Sequence, residues 1–442
     1  MGPHIVPVAS DLAFPSTADV VIVGGGIIGT SSALYLAERG LKVVLCEKGY
    51  IAGEQSGRNW GWCRQAKRDP REFELIREAL RLWRGMDAHI GADTGFTTTG
   101  IMFSAADEAK AAYYEEWVKE AAAADIHAEM LTGGRYAELM PGDTAPKKAA
   151  LWCASDGRAE PQKAAPAIAE AARRKGATIL TDCAVRGVET AGGKVVGVVT
   201  ERGRIAASSV VVAGGAWTRR ILKDVGIDLP QLKVRASVFR TSPIEGGPPA
   251  ALWDHDFAFR KRQDGGYTIA NGHVNVVPIV PDSFRFFFDF IPALRLEYKS
   301  LRLRFGPRFF TEWNEAVRRP FDEPSVYEAA RTLDPTPDVG YLEQAFRALK
   351  QRFPVFKDSR MVQAWAGFID ATPDAVPVIS PTDKVAGLIV ATGFSGHGFG
   401  IGPAAGHLVA DLVTGDKPIA DPKEYRLSRF FDGSRPAPVA GL

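Results

Sequence analysis

The spacing of apolar positions changes several times along the chain, and each change predicts an element. Asp19-Val20-Val21-Ile22-Val23 is an almost unbroken β-branched run, the composition of a strand buried on both faces. It leads into Gly24-Gly25-Gly26-Ile27-Ile28-Gly29 and then TSSALYLAER, which predicts a helix stopping at Gly40. A second apolar run, Lys42-Val43-Val44-Leu45-Cys46, ends at Glu47. Strand, turn, helix and strand are complete within about 30 residues, the size of one βαβ unit.

Further along, 105–124 and 161–175 read as helices, the second stopping at Gly176. From 177 to 213 the pattern is β, with a turn at Glu201-Arg202-Gly203 and a short run Val210-Val211-Val212-Ala213 ahead of Gly214-Gly215. Residues 233–290 alternate and carry aromatic residues, as antiparallel strands do. Residues 296–353 read as mostly helical, interrupted by prolines. The last 80 or so residues return to short apolar strands and a Gly-rich turn into a helix near 403–414. Nucleotide-type turns fall near both ends and in the middle, so the domains are expected to be discontinuous.

Composition narrows the class. The 442 residues carry 54 Lys+Arg against 52 Asp+Glu, a balance that gives neither nucleic acid nor an anionic surface a reason to bind. With 46% hydrophobic and 24% charged residues the chain is that of a globular protein, and no apolar run approaches the ~18 residues of a membrane span. The four cysteines, 46, 63, 153 and 183, form no C-x-x-C pair, so neither a disulfide scaffold nor a metal site is expected. The first residues lack a basic start followed by an apolar core, so a cytoplasmic protein is expected.

Gly24-x-Gly26-x-x-Gly29 matches the dinucleotide fingerprint. The first glycine permits the turn, the second admits a pyrophosphate to the backbone, and the third lets helix and strand pack. The helix start then offers free N–H groups to phosphate. Glu47, about 20 residues on, stands where an acid binds ribose hydroxyls and disfavours a 2′-phosphate. The loop alone is compatible with FAD or NAD.

Four further segments resemble the D-amino-acid oxidase superfamily, which includes glycine oxidase, sarcosine oxidase and D-amino-acid dehydrogenase. VVVAGGAWT (210–218) resembles its strand and turn over FAD, and DGRAEP (156–161) its D-G-x-x-x-P segment. WAGFIDATPDAVPVIS (365–380) and GFSGHGFGIGPAAG (393–406) resemble its C-terminal segments. The resemblance implies an α/β fold: a Rossmann-like FAD-binding domain (GR2-type) with an inserted antiparallel-sheet α+β substrate domain. The expected boundaries are 1–95, 150–232 and 360–442 for the FAD part, and 96–149 with 233–359 for the substrate part.

The resemblance also implies cofactor contacts: Gly24, Gly26, Ile28, Gly29, Glu47 and Lys48 in the first unit, Ser56, Arg58 and Asn59 in the segment passing the flavin, and Val185 at the adenine. Gly214, Trp217, Gly396, His397, Gly398, Gly400 and Ile401 complete the set. With no cysteine beyond 183 and no histidine at 56–58, FAD is expected to be bound non-covalently.

The activity implied is oxidation of a C–N bond in an amine or amino acid, with oxygen or another carrier taking the electrons. Two carboxylate anchors of the family are absent: glycine oxidases carry arginine where Ile369 stands, and monomeric sarcosine oxidases carry lysine where Gly400 stands. Arg64 or Arg260 replaces them, or the substrate has no α-carboxylate and Asp370 attracts a cationic group. His273, Asp370 and Tyr267 are the catalytic candidates, and Trp253 and Trp365 join the two arginines as substrate contacts. Some oxidases set a lysine over the flavin where Thr268 stands, which leans toward a dehydrogenase. The Phe284–Phe290 cluster reads as a pocket lid, an oligomer contact or core. The alternatives are oxidation of a 2-hydroxy acid or polyol phosphate, and a non-catalytic FAD subunit of a heteromeric dehydrogenase.

Overall fold

The computed structural model describes residues 2–434 and 436–439. Strand Thr17–Val23 runs parallel to Val43–Cys46 on one side and Gly203–Val212 on the other, and its last four residues are buried. Thr178–Leu180 and Leu388–Thr392 extend this parallel core at its two ends. Val378–Pro381 pairs antiparallel with the latter, and Val185–Ala191 and Lys194–Thr200 add an antiparallel meander, for eight strands in all.

Helices Ile27–Glu38, Pro161–Arg174 and Gly398–Thr414 cover one face. The first and last cross so closely that a Cβ at Gly406 would lie 2.4 Å from Ser31 Cβ. A residue with a side chain there would push the helices apart, so glycine at this crossing is a packing requirement.

A second sheet of ten strands stands beside the first. Its spine is Leu232–Thr241 against Met361–Ala371, antiparallel from Leu232–Ala371 to Thr241–Met361. Most pairs are antiparallel, but Ala251–Trp253 runs parallel to Ile101–Ser104, and Asn275–Pro278 parallel to Leu301–Arg304. Ala150–Cys153 and Met361–Ala371 hydrogen-bond in this sheet, although chain order suggests the nucleotide part for both.

The phenylalanine cluster lies on two short helices, Pro281–Arg285 and Phe287–Glu297, that have no buried residue. Phe288 is 82% exposed and Phe284 68%, while Phe286 is buried beneath Arg219 at 4.4 Å. Phe286 apart, the cluster is therefore at or near the surface, and none of it is among the residues lining the cavity. Among the described residues no helix is long and apolar enough to cross a membrane.

Candidate active site

One large cavity opens between the two sheets, lined from the glycine turn, the Trp60–Arg68 segment, the second sheet and the Gly-rich loop before the last helix. Its empty space, mouth included, is about 1960 Å³.

The glycine turn is built as the fingerprint requires. Gly24 has φ 111°, and a Cβ on Gly29 would lie 1.9 Å from the Gly24 carbonyl oxygen. Gly26, Ile27 and Ile28 line the cavity. Ser56 Oγ accepts from the Ile27 amide at 2.8 Å, so this side chain meets the helix N-terminus where a phosphate would lie. Glu47 accepts from the Gly25 amide at 2.7 Å and the Gly49 amide at 2.8 Å, and burial pushes its pKa up. Lys48 donates to Glu54 at 2.6 Å and lies 4.8 Å from the Trp217 ring. Val185, Gly214 and Trp217 complete this wall.

Arg58 and Asn59 line the cavity but spend their polar atoms on structure. Arg58 pairs with Asp334 and donates to Gly53 O at 2.9 Å and Ala366 O at 2.9 Å. Asn59 closes its own turn, donating to Ser56 O at 2.8 Å and accepting from the Gly61 amide at 2.7 Å. Gly29, Gly400 and Ile401 lie behind the wall. A Cβ at Gly400 would sit 3.0 Å from Trp62 O, so this glycine serves packing against the Trp62–Cys63 strand. Gly396, His397 and Gly398 do face the cavity.

Three of the candidate substrate and catalytic side chains belong elsewhere. Tyr267 is fully buried in the second sheet's core, its hydroxyl bonded to Pro248 O at 2.9 Å. Arg260 is 1% exposed and forks onto Glu160 at 2.9 and 3.0 Å, with Nε on Trp60 O. Trp365 is buried and donates to Arg58 O at 2.9 Å. Each was legible as a reactive or aromatic residue, but each has its face and partners taken by the fold. Thr268 is buried beside Arg262, outside the wall, so it carries no information on the electron acceptor.

Arg64, Trp253, His273 and Asp370 do reach the cavity. Asp370 is 2% exposed; its Oδ2 accepts from the Gly393 amide at 2.7 Å and Thr392 Oγ1 at 3.0 Å, and burial pushes its pKa up. It is a buried tether for the Gly-rich loop. His273 stands at the rim, bonded to His255 O at 2.8 Å and stacked on the His255 ring at 4.1 Å. With Asp256, these two histidines place three ligand-type atoms within 4.8 Å of one another.

Arg64 lies at the foot of an aromatic wall. Trp60, Trp62, Phe103 and Trp253 contact one another at 4.9–6.0 Å between ring centroids. The guanidinium sits 5.3 Å from Phe103 and 6.0 Å from Trp253, with one nitrogen on Ala66 O. It is 6% exposed, no carboxylate pairs with it among the described residues, and burial pulls its pKa well down. Lys67, in left-handed backbone (φ 58°), stands 5.4 Å from Trp253, and burial lowers its pKa to about 7.

Sequence reasoning missed Gln55, Trp60, Trp62, Arg68 and Glu72. Gln55 accepts from the Asp370 amide at 3.2 Å and links the two walls. The alternating Trp60 and Trp62 was the readable signal. Arg68 and Glu72, four apart, have the spacing of an ordinary surface ion pair, so nothing in the sequence marks them.

The fold and this cradle are those of a flavoprotein. The family of FAD dependent oxidoreductases (DAO) matches residues 19–412, and the chain belongs to it. The structure is similar to L-amino acid deaminase from Proteus myxofaciens, with 37% identity, a TM-score of 0.93 and 96% of each chain covered. In sequence it is 24% identical to sarcosine oxidase subunit beta of Rhodobacter capsulatus over 94% of this chain and 89% of that one. It is 23% identical to mouse mitochondrial sarcosine dehydrogenase over 97% of this chain, and spans 43% of that longer protein.

The residues present fit FAD. The turn that a Cβ at Gly29 would block, the helix start at Ile27 and the acid at Glu47 form the dinucleotide cradle. The buried ring nitrogens of His397, at the Gly396–Gly398 wall, have no hydrogen-bond partner in the protein, and a bound polar ring system would supply one.

Proposed function

We propose that the substrate is an L-α-amino acid with an apolar side chain, oxidised at its Cα–N bond. The reaction class is FAD-dependent oxidation of a C–N bond. Bound FAD supplies the hydride acceptor. The carrying observation is Arg64: a buried guanidinium that pairs with no carboxylate among the described residues, lining the cavity beside the Phe103 and Trp253 rings. Its fork takes the substrate carboxylate, because a bidentate charge-assisted contact offsets a burial cost that Asp156 and Glu72 relieve only in part.

Trp60, Trp62 and Trp253 receive the apolar side chain and keep water from the reacting carbon. Ile369, which also lines the cavity, adds no second cation, so the single anchor orients the substrate. The amine gives up a proton before its α-carbon gives up a hydride. The imine so formed takes up water to yield a 2-oxo acid and ammonia. The likeness to L-amino acid deaminase over 96% of both chains supports the same choice. Four buried, free cysteines support a reducing, cytoplasmic location.

The test is anaerobic bleaching of the bound flavin's visible absorption. L-Amino acids with aliphatic or aromatic side chains should bleach it, and D-enantiomers and amines without a carboxylate should not. Bleaching by 2-hydroxy acids or plain amines alone would overturn the proposal. A loaded flavin that nothing reduces would favour the non-catalytic subunit. Admitting air then reports whether oxygen is the acceptor.

A further inference from the structure

Beneath the Gly-rich loop lies a group of buried polar atoms that the substrate chemistry above does not use. Glu72, immediately before helix Phe73–Ile90, is 0% exposed, and neither of its carboxylate oxygens has a hydrogen-bond partner. Both ring nitrogens of His397 and Nη1 of Arg68 are likewise unpartnered. The three converge: His397 Nδ1 is 3.5 Å from Glu72 Oε2, and Arg68 Nη1 is 3.9 Å from the same oxygen. His397 and Arg68 both line the cavity.

A buried carboxylate is tolerable only when cations or N–H groups face it. Burial raises the pKa of Glu72, and Arg68, Arg64 and Arg71 act against that rise. Burial, then Arg68, Arg64 and Lys67, push His397 well down, with Asp69 opposing, which favours the neutral ring. A neutral imidazole has one proton. Beside a carboxylate that proton belongs on the near nitrogen, and the far nitrogen becomes an acceptor.

We propose that Glu72 is a positioning residue for His397: by accepting from Nδ1–H it fixes the ring, and it leaves Nε2 as an acceptor at the Gly396–Phe399 wall for an N–H of the bound ligand. That N–H belongs to the substrate nitrogen or to the flavin ring. Arg68 balances the carboxylate's charge. Glu72 itself touches neither ligand.

The test is histidine 15N NMR of the holoenzyme, with His397→Asn identifying the resonance. Wild type should show His397 protonated at Nδ1, and Glu72→Gln should convert it to a mixture of tautomers while flavin content stays constant. Nε2-protonated His397 in wild type, or an unchanged spectrum in Glu72→Gln, overturns the proposal. Should Glu72→Ala fail to fold, the near-isosteric Gln variant still decides.

A second readout separates the ligands. If Nε2 serves the substrate, Glu72→Gln lowers kcat about 10-fold or more with KM within about 2-fold and an unchanged flavin reduction potential. If it serves the ring, the potential shifts. Neither change overturns the proposal. The kinetic arm rests on the amino-acid reading and the NMR arm does not, so a substrate of another class leaves the tautomer result intact.

Discussion

Asp370 Oδ2 accepts the Gly393 amide at 2.7 Å, joining the strand Met361–Ala371 to the loop that carries His397. Thr392 Oγ1 at 3.0 Å and Gln231 Nε2 at 3.4 Å converge on the same oxygen. One carboxylate thus holds the end of a parallel strand, the Gly-rich turn and the second sheet together.

Asp370→Ala should therefore act on stability before chemistry. Losing hydrogen bonds to a charged acceptor and stranding their donors costs about 3 kcal/mol. Urea unfolding should show that loss together with weaker flavin retention. Flavin reduction that collapses at unchanged stability and flavin content would return Asp370 to the catalytic set.

Arg64→Lys replaces a planar fork by a point charge beneath the aromatic wall. A charged hydrogen bond of about 1.5–3 kcal/mol corresponds to a roughly 10- to 100-fold rise in KM for amino acids. The corresponding amino-acid amides, which lack the carboxylate, should be affected far less. Equal effects on both would remove Arg64 from carboxylate binding.

The Arg260–Glu160 pair makes a prediction about pH. Arg260, its charge and hydrogen bonds outweighing the effect of burial, holds the pKa of Glu160 down at about 2 against an ordinary 4.5. A depressed carboxylate contributes stability above the unfolded pKa and loses it as pH falls, here between about 4.5 and 2. The contribution is of order 3 kcal/mol, from about 1.4 kcal/mol per pKa unit. Arg260→Leu should flatten that acid limb and cost about 3–5 kcal/mol at neutral pH, while KM stays within about 2-fold. A large KM effect at unchanged stability would contradict the structural role.

Gly29→Ala should abolish flavin binding, since its Cβ would meet the Gly24 carbonyl oxygen at 1.9 Å. The backbone of the turn must move, and the helix start moves with it. Purified variant with normal flavin content would show that the turn has more slack than this geometry allows.

Residues 19–47 were readable because every contact that defines them is local. A β-branched run, a glycine turn, a helix and an acid at the second strand's end lie within about 30 residues, and backbone sterics decide most of the outcome. The parallel core of five strands and the cavity-facing Gly26 and Glu47 follow from that pattern.

The substrate side was decided by tertiary structure. Arg64 and Arg260 are equivalent in a sequence, each a cation beside aromatic residues. Folding gives Arg260 the Glu160 carboxylate, whereas no carboxylate among the described residues pairs with Arg64, which lines the cavity and is the anchor proposed above. Tyr267 and Trp253 lie two strands apart in the same sheet, yet one faces the Phe356 core and the other the cavity, because alternate faces of a sheet see different neighbours. Glu72 and His397 are more than 300 positions apart, and only the packing of two helix starts brings them within 3.5 Å. Local pattern determines which elements form; burial and pairing across the chain determine which of their polar atoms stay free to react.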